Sequence, residues 1–306
     1  MSIKNKILER HKISKQIRDF FDQRKVLEVD TPLLRQFSVT DPYMSAFSVI
    51  SPSGTQQGYL QTSPEYAMKK LLCEDSGDIF QLSKMFRADE KGEIHAGEFT
   101  MLEWYRIGFD HFQLMQEVCQ LVQQIVNVND VETFTYQQAF KLFLEIDPFS
   151  ISFEELKQKA IKVLGDIPDD LLFDNYLSLL FSEKIEPYFN PHKITIVHAY
   201  PESQASLAKT RQQRDLVTAD RFEIFCAGME LANGFNELTD AQQQLQRFHK
   251  DNQIRKQLGL AEIEIDKTFI QALEKGLPDC AGVALGVDRL LMIKLGKQNI
   301  DDVLLF

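Results

Sequence analysis

Apolar residues recur at helical spacing in several stretches of the chain. Isoleucines and phenylalanines fall about three or four positions apart between residues 3 and 24, which predicts one amphipathic helix. Residues 112–126 carry a second stripe of this kind. Ser152 and Glu155 have the spacing of a capping box, which predicts a third helix over residues 153–164.

Capping and turn signals predict the remaining elements. Thr62 and Glu65 also have capping-box spacing, and Pro64 is at a position typical of a first helical residue, so a helix is predicted to begin at about Ser63. Short apolar runs bounded by turn residues predict strands. These strands lie at residues 26–29, 79–86, 98–106 and 193–199, with one or two more in 222–235.

The order of these elements predicts a single domain. Residues 107–190 are expected to be mainly helical, and the final glycine-rich segment passes into a helix that begins near Val287 or Asp288. No internal repeat, proline-rich linker or charge block divides the chain. We therefore expect one domain over residues 1–306, with residues 107–190 as a helical insertion.

Composition excludes several classes of protein. Of the 306 residues, 44% are apolar and 26% are charged, so a packed core is available and a disordered chain is excluded. The net charge of −11 disfavours broad binding to nucleic acid backbones. The four cysteines have no paired metal-ligand spacing, and no apolar stretch approaches the ~18 residues of a membrane span. These features predict a cytoplasmic protein.

The densest group of candidate functional residues lies in the predicted hairpin. It contains Arg87, Asp89, Glu90, His95, Glu98, Glu103 and Tyr105. If the second half of the hairpin is a strand, Glu103 and Tyr105 share the face of Phe99, so a carboxylate and a phenol interrupt an apolar face. A loop with a function and an ordinary solvated strand edge both fit this pattern.

Two further segments combine polar and small residues. Glu230 and Glu237 flank an Asn-Gly pair, and such carboxylates could bind Mg²⁺ or belong to an ordinary polar turn. Gly282 and Gly286 precede Arg289, where small residues permit a close backbone approach and arginine can bond phosphate oxygens in pairs. The second segment is neither a Walker loop nor a complete dinucleotide-binding fingerprint.

Taken together and in order, these segments resemble the signature motifs of class II aminoacyl-tRNA synthetases, and specifically the catalytic domain of lysyl-tRNA synthetases. The segment VLEVDTPLL resembles motif 1 of this family, MFRADEKGEIHAGEFTMLEWY resembles motif 2, and GVALGVDRLLMIKLG resembles motif 3. Two further segments, TSPEYAMKKLL and ELANGFNELTDAQQQLQRF, resemble segments typical of the lysine-specific members of the family. The resemblance covers nearly all of the chain. It implies an α+β fold with an antiparallel sheet flanked by helices, and a homodimer formed through motif 1.

The short segment before motif 1 indicates which branch of the family the chain resembles. Only the first helix precedes Val26, which leaves no room for the anticodon-binding barrel of lysyl-tRNA synthetases. The chain therefore resembles their stand-alone paralogues, the ligases that modify elongation factor P, to which YPESQASLAK and LPDCAGVALG are similar. The resemblance implies that ATP and Mg²⁺ are used to activate (R)-beta-lysine, which is then transferred to a lysine of elongation factor P. A tRNA partner and a membrane are not expected. The alternatives are a truncated synthetase that acylates tRNA or a small amine, and a catalytically silent regulatory paralogue.

The resemblance also implies roles for individual residues. Arg87 and Arg289 match the catalytic arginines of motifs 2 and 3. The ATP-binding positions are Arg87, Ala88, Asp89, His95, Ala96, Phe99, Glu230, Leu231, Gly286 and Arg289. The substrate-binding positions are Ser63, Pro64, Glu65, Glu103, Tyr105, Asn233, Glu237 and Ala284. Glu230 and Glu237 match the positions that organise Mg²⁺.

Three positions depart from the family pattern. Asp89 stands where glutamate is usual and Ala96 where asparagine is usual, so the contacts with adenine are expected to differ. Ala284 stands where lysyl-tRNA synthetases have glycine. A methyl group there could favour a β-amino acid, or it could be ordinary drift in a Gly/Ala turn.

Overall fold

The computed structural model describes residues 2–168, 170–213 and 216–305, which form nine α-helices and two β-sheets. The helices are α1 (Ile3–Asp22), α2 (Glu65–Leu72), α3 (His111–Val126), α4 (Tyr136–Leu144), α5 (Phe153–Leu164), α6 (Phe173–Lys184), α7 (Ala241–Gln257), α8 (Lys267–Gly276) and α9 (Val287–Leu295). The strands are β1 (Leu27–Glu28), β2 (Leu34–Arg35), β3 (Ser48–Ile50), β4 (Gln56–Leu60), β5 (Ile79–Phe86), β6 (Glu98–Ile107), β7 (Val131–Thr135), β8 (Ile194–Pro201), β9 (Thr210–Gln213), β10 (Leu216–Cys226), β11 (Met229–Asn236) and β12 (Cys280–Gly286). The predicted domain over residues 1–306 includes five residues that lie outside the described ranges.

The larger sheet has nine strands in the order β1-β5-β6-β12-β11-β10-β8-β7, with β9 paired to β10. The fold is α+β, as predicted. The sheet is mixed rather than antiparallel throughout, because β1 runs parallel to β5 and β7 runs parallel to β8. A parallel pair needs a long crossover connection. Helix α2 lies in the first of these connections, and α4–α6 lie in the second. A small separate sheet has the order β2-β4-β3.

Helices α1, α3 and α9 cover one face of the larger sheet. Residues of α1 that are fully buried there include Ile13, Ile17, Phe20 and Phe21. Phe21 stacks on Phe80 with ring centres 4.4 Å apart and meets Trp104 edge-on at 5.3 Å. Burying such a side chain stabilises a fold by about 1.5–3 kcal/mol. This face therefore carries the main core, and the opposite face can carry polar groups.

The segment between β6 and β8 contributes to both faces. Helix α3 packs on the main core, whereas α4–α6 form a second, aromatic-rich core on the opposite side of β8 and β10. Strand β7 of the same segment extends the larger sheet. None of the helices in the described part of the chain combines the length and apolar character needed to cross a bilayer.

Several predicted elements are confirmed, and one predicted cap is wrong. Patterning located α1, the β5–β6 hairpin, α3, the capped helix α5 and the junction of β12 with α9. The capping box from Thr62 to Glu65 is absent. Helix α2 begins at Glu65 with Pro64 as its N-cap, and the Ser63 hydroxyl accepts the Glu65 backbone N–H at 3.0 Å. The Glu65 carboxylate instead accepts from Lys69, so it points along the helix rather than back to its start.

Candidate active site

A row of four residues crosses the open face of the larger sheet at one level. Glu103 of β6 pairs with Ala284 of β12. Ala284 pairs in turn with Asn233 of β11, and Asn233 pairs with Glu223 of β10. Directly paired residues on neighbouring strands point to the same side of a sheet. These four side chains therefore form one surface, which we call the sheet floor, on the face opposite the main core.

Glu103 lies at one end of the sheet floor and is 2% exposed. Its carboxylate accepts hydrogen bonds from the Ser63 hydroxyl at 2.9 Å and from the Tyr105 hydroxyl at 2.7 Å. Burial raises the pKa of Glu103 to about 8, and the charge of Glu65 adds to the rise while the two hydroxyls oppose it. A cationic partner would stabilise the ionised form of this buried carboxylate.

Two more carboxylates approach Glu103, and a buried lysine lies between them. The Lys69 ammonium is 2.7 Å from the carboxylate of Glu65 and 2.5 Å from that of Glu237. Burial raises the pKa of Glu237 to about 7, although the charge of Lys69 opposes the rise. Burial lowers the pKa of Lys69, but the two carboxylates outweigh this effect and raise it overall. We call these residues, with Tyr105, the carboxylate cluster.

Gly282 of β12 allows the carboxylate cluster to pack closely on the sheet. A Cβ atom at this position would lie 2.3 Å from Cε1 of Tyr105 and 2.4 Å from Oε1 of Glu237. Both distances are too short for any real contact between such atoms. A larger residue would therefore displace the Tyr105 ring or the Glu237 carboxylate.

Glu223, at the other end of the sheet floor, is held by three donors. The Tyr200 hydroxyl donates to it at 2.7 Å, Arg221 at 2.5 Å and the Asn233 amide at 3.2 Å. Burial raises the pKa of Glu223, against the lowering effect of the Arg221 charge. The side-chain oxygen of Asn233 is buried without a hydrogen-bond partner among the described residues, so it can accept a bond from a ligand.

Glu230 reaches this end of the site through a β-bulge. Ile224 of β10 pairs with Ala232 of β11, but the next residue of β10, Phe225, pairs with Glu230. Leu231 is therefore left without a partner and is the extra residue of the bulge. The bulge turns Glu230 to the same side of the sheet as Asn233. Arg289, in the first turn of α9, donates to the Glu230 backbone carbonyl at 2.8 Å and lies 3.7 Å from its carboxylate.

Arg87, just beyond β5, lies over an aromatic surface. Its guanidinium is 5.2 Å from the centre of the Phe99 ring and 3.6 Å from the carboxylate of Glu90. Its Nε donates to the backbone carbonyl of Thr62 at 3.4 Å. A cation and an aromatic face are thus presented side by side, an arrangement that suits a nucleotide with a phosphate and a flat base.

The departure from the family pattern at Asp89 coincides with an unusual backbone conformation. Asp89 has a φ angle of 64°, in the left-handed region, directly after Ala88 forms an isolated bridge with Ser45. Aspartate is several-fold enriched in this conformation because its short polar side chain tolerates it. The aspartate at this position therefore suits its local backbone conformation.

His95 connects the hairpin loop to motif 3. Its Nε2 atom is 2.7 Å from Nη2 of Arg289, and its backbone closes a turn with Gly92. Burial lowers the pKa of His95, and the charge of Arg289 lowers it further, so a neutral ring accepts from the guanidinium. Ala96 packs against the main core, and Gly286 lies against the Arg289 side chain.

The predicted pair of metal ligands does not lie together. Glu230 and Glu237 are seven positions apart, and β11 is extended from Met229 to Asn236, so their backbones lie roughly 20 Å apart at ~3.3 Å per residue. Glu237 contacts Lys69 in the carboxylate cluster, whereas Glu230 lies beside Arg289. The structure therefore brings the two carboxylates to opposite ends of the sheet floor, and their assignment as positions that organise Mg²⁺ stays a prediction.

Of the two carboxylates at this end of the sheet floor, Glu230 is the more open to a ligand. Its side chain is 39% exposed, whereas the oxygens of Glu223 are bonded to protein donors. No group of three or more histidines, cysteines and acids within the described ranges is arranged to hold a metal. This is compatible with Mg²⁺, which commonly binds one or two carboxylates together with phosphate and water oxygens.

The predicted residues thus fall into two groups joined by the sheet floor. The first surrounds the carboxylate cluster and contains Ser63, Pro64, Glu65, Glu103, Tyr105 and Glu237. The second surrounds the two arginines and contains Arg87, Ala88, Asp89, His95, Ala96, Phe99, Glu230, Leu231, Gly286 and Arg289. Sequence reasoning missed Lys69, although its place one helical turn after Glu65 was a signal. It also missed Glu223, which no motif marked.

The chain is similar to known proteins over nearly its whole length. Residues 1–306 match the family described as tRNA synthetases class II (D, K and N). An elongation factor P--(R)-beta-lysine ligase of Proteus mirabilis is 48% identical over 307 residues, which cover 98% of this chain and 94% of the relative. Proteins of the same name from Photorhabdus laumondii and Haemophilus ducreyi are 47% and 46% identical, again over 98% of this chain and over 94% and 93% of their own lengths.

Proposed function

Because the chain belongs to the class II tRNA synthetases of the D, K and N group, we propose that it is a ligase that activates (R)-beta-lysine with ATP and transfers it to a lysine of elongation factor P. Relatives that are almost half identical over nearly the whole chain bear this activity in their names. The retained arginines and carboxylates of the site support a working enzyme rather than a silent regulator.

The carboxylate cluster is the observation that supports this function best. Three carboxylates, those of Glu65, Glu103 and Glu237, converge on a buried region that holds one ammonium, from Lys69. When all are ionised, the cluster has a formal charge of −2. A diamino acid brings two ammonium groups, and their desolvation is compensated only where buried carboxylates pair with them.

Selection of a β-amino acid is assigned to the middle of the sheet floor. The Ala284 methyl group stands between Glu103 and Asn233, on the strands to either side. It occupies space that a glycine would leave open. We propose that this methyl shifts the bound carboxylate and amine toward the spacing of a β-amino acid.

The first chemical step requires positioning rather than a base, because a carboxylate is already ionised at neutral pH. An oxygen of the amino-acid carboxylate attacks the α-phosphorus of ATP, and the bond to pyrophosphate breaks. In this proposal Arg87 stabilises the charge that develops at the α-phosphate, and Arg289 binds the terminal phosphate. Phe99 offers a flat face to adenine. Mg²⁺, held by Glu230 together with phosphate oxygens, would supply positive charge to the polyphosphate.

The second step forms an amide. The ε-amine of the acceptor lysine attacks the adenylate carbonyl, AMP leaves, and one proton is released from nitrogen. The acceptor amine must first lose a proton, since a free lysine has a pKa of about 10.4.

Further features fit the proposed setting. We propose a homodimer formed through motif 1, because Leu27 and Leu34 are exposed apolar residues of that motif. A single catalytic domain in the cytoplasm is supported by four cysteines that are all free thiols. A tRNA acceptor is not part of the proposal.

The test is the intact mass of elongation factor P after incubation with the enzyme, ATP, Mg²⁺ and (R)-beta-lysine. We expect a mass increase of one lysyl residue, which should require ATP and be lost with the Glu103→Gln variant. A parallel reaction with tRNA should give no product. An unchanged mass of elongation factor P together with acylated tRNA would refute the proposal.

A further inference from the structure

Asp288, in the first turn of α9, lies at the junction of α1, β6 and α9 and is 2% exposed. One of its carboxylate oxygens is 2.6 Å from Nη2 of Arg10 in α1, and the other accepts the backbone N–H of Thr100 in β6 at 2.5 Å. We propose that Arg10 is a positioning residue for ATP, which acts through Asp288 to hold the start of β6 against the start of α9. This inference rests on the proposed function, since it concerns the same nucleotide site.

The end of β12 creates the need for the bond between Asp288 and Thr100. Strand β12 pairs with β6 as far as Gly286, which lies opposite Met101, and the chain then enters α9. Thr100 therefore lies one residue beyond the last pair. A buried backbone N–H without an acceptor is costly, so nearly all are paired in folded proteins. The Asp288 carboxylate supplies the acceptor at the point where the strand stops.

Arg10 fixes the orientation of that carboxylate. Besides its bond to Asp288, Nη2 of Arg10 donates to the backbone carbonyl of Val303 at 3.1 Å, and Nη1 lies 3.4 Å from the Thr100 hydroxyl. Removing one partner of a buried ion pair leaves an uncompensated charge in the interior. Without Arg10, the Asp288 carboxylate would turn toward water and away from the Thr100 N–H.

The contact is formed behind the nucleotide end of the site. Phe99 directly precedes Thr100 in β6, and successive residues of a strand point to opposite faces of the sheet. Phe99 thus faces the open side while Thr100 faces α1. Arg289 directly follows Asp288 in α9. The bond between Thr100 and Asp288 therefore joins the strand that carries the proposed adenine contact to the helix that carries the proposed phosphate contact.

The C-terminal segment provides a second connection from α1 to the site. Lys6, one helical turn before Arg10, donates to two backbone carbonyls within residues 300–304, both at 2.8 Å. The same segment donates a backbone hydrogen bond to the hairpin loop at 2.7 Å. Lys6 and Arg10 thus both anchor the chain end, but Arg10 also bonds to Asp288. A comparison of the two residues isolates the effect of that bond.

The experiment compares Arg10→Met with the matched control Lys6→Met. Binding of a non-hydrolysable ATP analogue with Mg²⁺ is measured by titration calorimetry on the full-length protein. Because a small misplacement of positioning groups by a remote substitution costs up to about a hundredfold, we expect Arg10→Met to weaken nucleotide binding by about ten- to a hundredfold. Lys6→Met should bind as the wild type does. Arg10→Lys, which keeps the cation, should bind more tightly than Arg10→Met.

Kinetics of pyrophosphate exchange give a readout that a purely structural role would not change. A variant that is only destabilised loses active molecules, so its apparent kcat falls while its KM values stay the same. Arg10→Met should instead raise the KM for ATP. It should leave the KM for (R)-beta-lysine unchanged, because the carboxylate cluster lies on the open face of the sheet, away from α1. Asp288→Asn keeps the size of the side chain and loses the ion pair, so it should also raise the KM for ATP.

Equal nucleotide binding by the wild type and Arg10→Met would overturn the inference, as would equally weak binding by Arg10→Met and Lys6→Met. If Arg10→Met does not fold, Asp288→Asn decides the question, and an unchanged KM for ATP in that variant overturns the inference. The proposed function fails separately, if the wild type binds the nucleotide analogue but never modifies elongation factor P.

Discussion

Replacing Lys69 by methionine should destabilise the protein strongly, because it leaves two carboxylates without their partner. The Lys69 ammonium is 1% exposed and lies 2.5 Å from Glu237, which is also 1% exposed, and 2.7 Å from the less buried Glu65. Removing one partner of a buried ion pair typically costs about 3–5 kcal/mol. We expect Lys69→Met to lower the free energy of unfolding by about this amount at about pH 8.

The chain contains a matched control for this substitution. Lys275 lies 2.6 Å from Glu74, at nearly the same distance, but both side chains are more than 60% exposed. Surface ion pairs contribute about 0–1 kcal/mol. Lys275→Met should therefore have little effect. The comparison keeps the ion-pair distance nearly constant while burial changes, and Lys69 also has a second carboxylate partner where Lys275 has one.

The cost of Lys69→Met should also depend on pH. Burial raises the pKa of Glu237 to about 7 even beside Lys69, whose charge opposes the rise. Without Lys69 the pKa rises further, so at about pH 6 Glu237 binds a proton and its unpaired charge disappears. The destabilisation should be largest above the raised pKa and smaller below it.

Urea unfolding followed by circular dichroism at about pH 8 and at about pH 6 measures both effects. The double variant Lys69→Met with Glu237→Gln should be more stable than Lys69→Met alone at the higher pH, since it removes the uncompensated charge. Equal costs for Lys69→Met and Lys275→Met, or a cost of Lys69→Met that does not change with pH, would refute the reasoning.

Two further predictions concern the sheet floor and the back of the sheet. Ala284→Gly should raise kcat/KM for α-lysine relative to (R)-beta-lysine, by about tenfold or more, since one methylene discriminates by ~1–3 kcal/mol; an unchanged ratio would contradict the assignment. Burial lowers the pKa of His198 to about 4, and the neighbouring His111 adds to this effect, so stability should fall as the pH drops from about 6.5 toward 4. Over this pH range the melting temperature of His198→Gln should fall less than that of the wild type. Equal decreases in the two proteins would contradict the prediction.

The sequence could predict elements whose side chains alternate clearly between core and solvent. Helix α1 buries a regular stripe, and helix α5 carries a complete capping box. Helix α7 was not predicted because its residues are almost all polar, and it buries only Gln244, Phe248 and Asn252. Nothing in its local pattern distinguishes a packed helix from a solvated one.

The site could be predicted only where its residues belong to local motifs. Glu103 and Tyr105 are two residues apart on one strand, and their contact follows from the period of a strand. The contact of Lys69 with Glu237 joins residues far apart in the chain, and no local pattern links the two. The separation of Glu230 from Glu237 could not be predicted either, because the sequence does not show that β11 stays extended through both the bulge and the Asn-Gly pair.

The extended strand β11 limits where the substrate specificity of such a site can change. One strand carries Glu230 at the nucleotide end, Asn233 in the middle and, just beyond its last residue, Glu237 at the amine end. A strand within a sheet cannot shorten without breaking its ladder, so the distance between the two ends is fixed. A change from an α-amino to a β-amino substrate must therefore be accommodated between them. Ala284 is paired with Asn233 at that middle level, where we expect an added methyl to alter the space for the substrate backbone without moving either the carboxylates proposed to bind ammonium or the arginine proposed to bind phosphate.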